Sequence, residues 1–194
     1  MGKQVSEKEW VKSIITNIDK DIKKLSGNLF VEDGRKLPYA YEVMEYDDDH
    51  EKNHKLNYLS YETDILIYEK TGKEKWKPRI VIEAKVDSIN THDAITYSQK
   101  SLTHKNVHPY LRYGIIIGNR EHYPLPGRLF RHGVHFDFMM SWKGHRPDIA
   151  EWNMFIKILK DEIQASKHLE EIIFNSRSKE RIKYVCLHKP LRLK

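Results

Sequence analysis

Asp64-Ile65-Leu66-Ile67-Tyr68 and Arg79-Ile80-Val81-Ile82-Glu83-Ala84-Lys85-Val86 are the two stretches whose reading decides the fold. Each is a short apolar run rich in Ile and Val, too short for a buried helix and suited to a largely buried strand. Between them, Lys70 to Pro78 is charged and turns at Gly72. A connection that short makes the two runs an antiparallel hairpin. A third run, Tyr113-Gly114-Ile115-Ile116-Ile117-Gly118, is expected in the middle of the same sheet, and Tyr39 to Tyr46 reads as a strand ahead of the hairpin.

Helical spacing surrounds these strands. Ser6-Glu7-Lys8-Glu9 has the form of a capping box, followed by Trp10, Val11, Ile14, Ile15, Ile18, Ile22 and Leu25 at helical intervals and stopped by Gly27-Asn28. Asn90 or Thr91 caps a second helix to about His104, with Ala94, Ile95, Ser98 and Leu102 expected on its inner face. A loop rich in Pro, Gly and Arg runs from Asn119 to Gly133, then a strand near Val134–Met140, then a helix from Ile149 to Phe174. The order helix–strand–strand–strand–helix–strand predicts an α/β fold, a central mixed β-sheet flanked by helices. The 194 residues suit a single domain, ending in a C-terminal helix and tail over 149–194.

Hydrophobic residues make up 39% of the chain, too many for a disordered polymer. No apolar run spans a bilayer, and MGKQVSEKEW lacks the apolar stretch of a secretory signal. Met1-Gly2-Lys3-Gln4-Val5-Ser6 fits an acylation pattern that would anchor only weakly and is discounted. One cysteine, Cys186, excludes an internal disulfide and a four-cysteine zinc site. A soluble, intracellular protein is expected. The net charge of +6 is confined: residues 100–146 hold Lys100, Lys105, Arg112, Arg120, Arg128, Arg131, Lys143 and Arg146 against Glu121 and Asp137, which accounts for all of it. Six of the eleven histidines share that stretch. A basic zone of this kind fits a polyanion, from which Lys and Arg release counterions.

The chemistry sits on the hairpin. Asp64 opens its first strand, while Glu83 and Lys85 share one face near the end of the second. In an antiparallel pair the start of one strand lies beside the end of the other, so all three gather at one rim. Two close carboxylates repel unless a cation lies between them. Mg²⁺ is the natural partner, binding through one or two carboxylates, a carbonyl and waters. A lysine beside it holds the attacking water or helps to deprotonate it, and metal and ammonium together stabilise charge on a phosphate. Asp21-Ile22-Lys23 is the other acid-x-Lys triplet, and it reads as a solvated helix face. His50-Glu51-Lys52-Asn53-His54 matches a zinc-protease pattern, but nothing apolar from Asp47 to Lys55 would bury the helix that chemistry needs.

With Thr63-Asp64 as one half-motif and Glu83-Ala84-Lys85 as the other, the chain resembles the PD-(D/E)xK nucleases. The likeness in element order extends over about residues 7–118, and Thr63 stands where that family has proline. It implies a restriction-endonuclease-like fold and Mg²⁺-dependent cleavage of double-stranded DNA, with Mn²⁺ as a substitute. It implies that Asp64, Glu83 and the main-chain carbonyl of Ala84 bind the metal, and that Lys85 positions the water. The family's extra acid falls on Glu42, with Glu9 second, and Gln99 or Lys100 reach the site from the next helix. Lys100, Lys105, Arg120, His122, Arg128, Arg131, Lys143 and Arg146 are the expected DNA contacts, with Tyr123 or Phe130 available to stack. The group implied is a type II restriction endonuclease in a prokaryotic cytoplasm, acting as a homodimer, with no membrane and no nucleotide cofactor. A repair or junction nuclease of the same fold, or a DNA-binding protein without catalysis, are the other readings.

Overall fold

The computed structural model describes residues 5–48, 54–120, 122 and 124–193. Its elements, in chain order, are α1 (Glu7–Leu25), β1 (Leu29–Glu32), β2 (Lys36–Tyr46), β3 (His54–Glu62), β4 (Ile65–Lys70), β5 (Trp76–Val86), α2 (Thr91–Val107), β6 (Arg112–Gly118), α3 (Gly127–His132), β7 (Phe138–Ser141) and α4 (Ile149–Phe174). β4 and β5 form the antiparallel hairpin, with Ile65 opposite Ile82 and Ile67 opposite Ile80. β6 joins β5 in parallel, β7 joins β6 in parallel, and β1 closes the far edge antiparallel to β4. The order β1-β4-β5-β6-β7 makes a mixed five-stranded sheet flanked by helices, an α/β fold. Among the described residues no helix is long and apolar enough to cross a membrane.

Alternation along the strands divides the core. Ile65, Ile67, Ile80, Ile82 and Ala84 face α1 and α4, meeting Trp10, Ile14, Ile18, Phe155 and Leu159. Leu66, Tyr68, Val81 and Tyr113 face the other way with Leu37, and Ile115 and Ile117 meet Ala94 of α2 and Leu129 of α3. Each such large side chain contributes about 1.5–3 kcal/mol by leaving water.

Five expectations are corrected. The strand preceding the hairpin in the sheet is β1, not Tyr39–Tyr46, which instead pairs with β3 as a separate two-stranded ribbon. The polar connection ends at Lys55's neighbour His54, where β3 begins; polar outward positions hid that strand, because a ribbon with little burial shows no clear alternation. β6 is interior, but the middle strand is β5. On α2 the inner face carries Ala94, Ser98, Ser101 and His104, while Ile95 lies exposed. Asp21, expected on a solvated face, accepts a hydrogen bond from Trp152 Nε1 at 2.8 Å and ties α1 to α4.

The capping box is present: Ser6 accepts from the Glu9 N–H and Glu9 from the Ser6 N–H. It starts α1 directly over the end of β6. Gly118 permits this approach, since a Cβ there would lie 2.4 Å from the Trp10 ring, and Trp10 Nε1 donates to the His145 carbonyl at 2.7 Å. Both parallel strands leave the sheet through left-handed residues, Asp87 (φ 65°) and Asn119 (φ 53°), joined by an Asn119–Asp87 hydrogen bond of 2.6 Å. Gly118→Val forces the Trp10 ring away and is expected to destabilise the chain by about 1–3 kcal/mol, read as a lower urea midpoint at unchanged m-value.

Candidate active site

Asp64 sits one residue before β4, and its Oδ2 accepts the Ala84 N–H at 2.8 Å. Glu83 is 2% exposed and points to the face of Val81, where the Tyr113 hydroxyl donates to its Oε1. The two carboxyls are close enough that each shifts the other's pKa. Burial, and next the Asp64 charge, push Glu83 up to about 7. Burial also raises Asp64, against the pull of the Ala84 N–H and Lys100. Two neighbouring carboxyls raised in this way are a pair whose charge a cation would neutralise.

Two ammonium groups complete the rim. Lys85 Nζ lies 3.1 Å from Glu7 Oε1 on the first turn of α1, and 5.1 Å from the centre of the Tyr97 ring. Burial draws Lys85 down, but hydrogen bonding to Tyr97 and Glu7 outweighs it and holds the group above its ordinary range. Lys85 therefore stays a cation that donates and stabilises negative charge. Lys100 Nζ is 3.8 Å from Glu83 Oε1 and lies over both Tyr97 and Tyr61, at 5.0 and 5.3 Å. The aromatic faces hold these cations beside the carboxyl pair.

Behind Glu83, Tyr113 stacks on His104 at 5.7 Å, and Tyr39 and Tyr61 of the ribbon meet His104 edge-on. His104 lies 3.1 Å through Nδ1 from the Pro38 carbonyl. Burial lowers it to about 4, so the ring is neutral and Nδ1–H is the donor. Its Nε2 has no partner. The ribbon is thus seated on the aromatic pair that orients Glu83.

The structure brings Asp64, Glu83, the Ala84 main chain and Lys85 to one rim, and adds Lys100. It does not bring Glu42 there: that residue is exposed on β2 and accepts from Asn57 at 3.1 Å. Glu9 is used as a cap. From the first helix it is Glu7 that reaches Lys85; it is exposed but lies three and four residues before Trp10 and Val11 and so falls on their side of the helix, a signal the spacing already contained. Tyr97, Tyr113 and Tyr61 were also missed, since a tyrosine in an apolar run looks the same whether or not its hydroxyl serves a carboxylate.

The basic zone divides in two. Lys105 pairs with Asp137 at 2.8 Å and donates to the His135 carbonyl, and Arg112 pairs with Asp137 at 2.9 Å and with Glu162. Arg120 donates to the Asp87 and Pro124 carbonyls at 3.2 and 3.3 Å. These three side chains are engaged within the fold. His122, Arg128, Arg131, Lys143 and Arg146 are exposed. Tyr123, the start of the acylation pattern through Gln4, and His50 to Asn53 lie outside the described residues. His54 opens a strand, not the helix a zinc pair would need.

Among the described residues no group of three or more His, Cys, Asp or Glu side chains is placed for a metal. Two adjacent carboxylates with a main-chain carbonyl between them still fit Mg²⁺, which keeps several waters and uses few protein ligands. No protein-family model and no curated protein matches the chain.

Because the pKa of Glu83 is raised by folding, the folded state holds its proton where the unfolded chain releases it. Stability contributed here is full below about 4.5 and falls as pH rises toward about 7. Glu83→Gln keeps an acceptor for Tyr113 and offers Asp64 a donor. In metal-free buffer at pH 8 it is expected to raise Tm by about 5 °C, with little gain at pH 4, in parallel thermal melts.

Proposed function

We propose that this chain is a Mg²⁺-dependent endonuclease that hydrolyses phosphodiester bonds in double-stranded DNA, a type II restriction endonuclease of restriction-endonuclease-like fold acting as a homodimer. The observation that carries the reading is the gathering of Asp64, held on the Ala84 N–H, and buried Glu83 beside Lys85 and Lys100, at the rim where an antiparallel hairpin meets a parallel strand. The order α1, β1, β4, β5, α2, β6 also reproduces the helix–strand–strand–strand–helix–strand core of that family.

Asp64, Glu83 and the Ala84 carbonyl would hold the divalent ion. When bound, Mg²⁺ supplies a Lewis acid for the phosphate and a more acidic water. Tyr113 and the Ala84 N–H fix the two carboxylates so that little reorganisation is needed. Lys85, a cation at neutral pH, orients the attacking water and the scissile phosphate oxygen. Glu7, 3.1 Å from Lys85, would take the proton from that water in this reading. Lys100 adds a second positive charge beside the phosphate as negative charge develops. Arg128, Lys143 and Arg146 supply exposed positive charge for the DNA backbone, with His122 beside them.

Digestion of plasmid DNA by the purified chain tests this. Discrete fragments are expected with Mg²⁺ or Mn²⁺ and none with a chelator. Asp64→Ala, Glu83→Ala and Lys85→Ala are each expected to lower the rate by about 10²–10³ or more. Cleavage that survives both carboxylate substitutions would refute the site, and cutting confined to branched or nicked DNA would move the chain to repair.

A further inference from the structure

We propose that the groove between α2 and α3 reads base edges in the major groove of duplex DNA, with Gln99 and Arg131 as hydrogen-bonding readers and Ile95 and Val134 as contacts to thymine methyl groups. The inference rests on the nuclease reading above and goes further, by separating base contacts from phosphate contacts.

Parallel pairing of β5 with β6 places the start of α2 and the segment carrying α3 at the same end of the sheet as Glu83. Arg128 Nη1 donates to the Ile89 carbonyl at 3.1 Å, which pins α3 to the turn that begins α2. Between them lies a groove of about 360 Å³, lined by Ile95, Ser98 and Gln99 on one side and Arg131, His132 and Val134 on the other. Ile95 is 49% exposed and Val134 is 70% exposed. Two large aliphatic side chains are left in water beside a carboxamide and a guanidinium.

The polar groups here are unspent. Gln99 and Arg131 are exposed and have no hydrogen-bond or ion-pair partner among the described residues. Lys105, Arg112 and Arg120, by contrast, are all engaged within the fold. No carboxylate lines the groove, and residues 124–136 carry Arg128, Arg131, His132 and His135 with no acid. That charge balance selects a polyanion over an acidic–basic protein surface of mixed sign. The aliphatic component selects base edges over phosphates, because phosphate oxygens give Ile95 and Val134 nothing to pack against. Duplex DNA offers both: guanine O6 and N7 suit the fork of Arg131, adenine N6 and N7 suit the amide of Gln99, and the thymine methyl suits Ile95 or Val134.

The ribbon β2–β3 is the competing surface. It exposes Tyr41, Met44, Tyr46 and Tyr58, but residues 36–62 carry seven acids and three lysines, and that balance repels a polyphosphate. On α2 itself, Tyr97 and Lys100 look toward the carboxylate pair, while Ile95 and Gln99 stand on the far side of the helix. A helix is about 10–12 Å across, or about three base steps at 3.4 Å each. The bases read in the groove are thus about three pairs from the bond that is cut.

Cleavage of a randomised duplex library, with the cut ends sequenced, tests the assignment. The readout is the ratio of cleavage between sequences, which is independent of overall rate. Wild type is expected to discriminate at positions about three pairs from the cut. Arg131→Lys keeps the charge and loses the fork, and is expected to reduce discrimination at one position by about 10- to 100-fold while the salt dependence of binding is kept. Gln99→Ala is expected to relax a different position. Arg131→Lys with full discrimination, Arg131→Ala with a uniform loss on all sequences and a salt slope lower by about one, or a wild type without sequence preference would each overturn the proposal. A wild type that neither binds nor cuts any duplex would overturn the nuclease reading along with it, whereas cleavage lost in Asp64→Ala but indifferent to the groove would overturn the groove alone.

Discussion

Asp64 and Glu83 are held side by side by antiparallel pairing, and the surrounding structure is arranged around the cost of that contact. Strand β4 begins where β5 nears its end, so a carboxylate at each place meets the other in an environment from which water is excluded. Left alone, the pair would be strongly unfavourable. The Ala84 N–H and the Tyr113 hydroxyl each supply a donor, Lys100 supplies charge, and Glu83 keeps its proton up to about pH 7. A divalent cation would meet the same demand with two charges in place of one, which is the ground of the proposed nuclease reading.

Each helix near the site is docked by a specific contact that also delivers a functional group. The glycine at position 118 lets Trp10 lie against the sheet, and the turn before Trp10 carries Glu7 to Lys85. Helix α2 is seated through Ala94, Ser98, Ser101 and His104, which leaves Tyr97 and Lys100 facing the carboxylates. Away from the site, buried charges are used to hold layers together: Arg79 joins Glu69 and Glu170 at 2.6 Å each, and Asp137 joins Lys105 and Arg112. Such pairs are weak sources of net stability but costly to break, because a lone buried charge remains.

The hairpin, the outer helices and the carboxylate–lysine rim were legible because they rest on strong local signals. Capping boxes, a 3.6-residue stripe and dense Ile/Val runs determine element type without knowledge of the rest. The ribbon was legible only in half, since β3 presents polar residues outward and buries little. Strand β1 is four residues long and carries too few residues for any periodicity. Glu7 was missed in favour of Glu42 and Glu9 because an acid at a helix start has a local use as well as a distant one. The confinement of positive charge to residues 100–146 was visible, but charge counts do not show that Lys105, Arg112 and Arg120 are engaged inside the fold while Arg131 is not.

The central claim, that the Asp64–Glu83 pair is a divalent-cation site, is tested most directly by anomalous diffraction from crystals soaked in Mn²⁺. The account predicts one principal anomalous peak within bonding distance, about 2.0–2.3 Å, of the Asp64 and Glu83 carboxylates and the Ala84 carbonyl. Crystals that show no peak there at saturating Mn²⁺, with both carboxyl side chains well ordered, would contradict it.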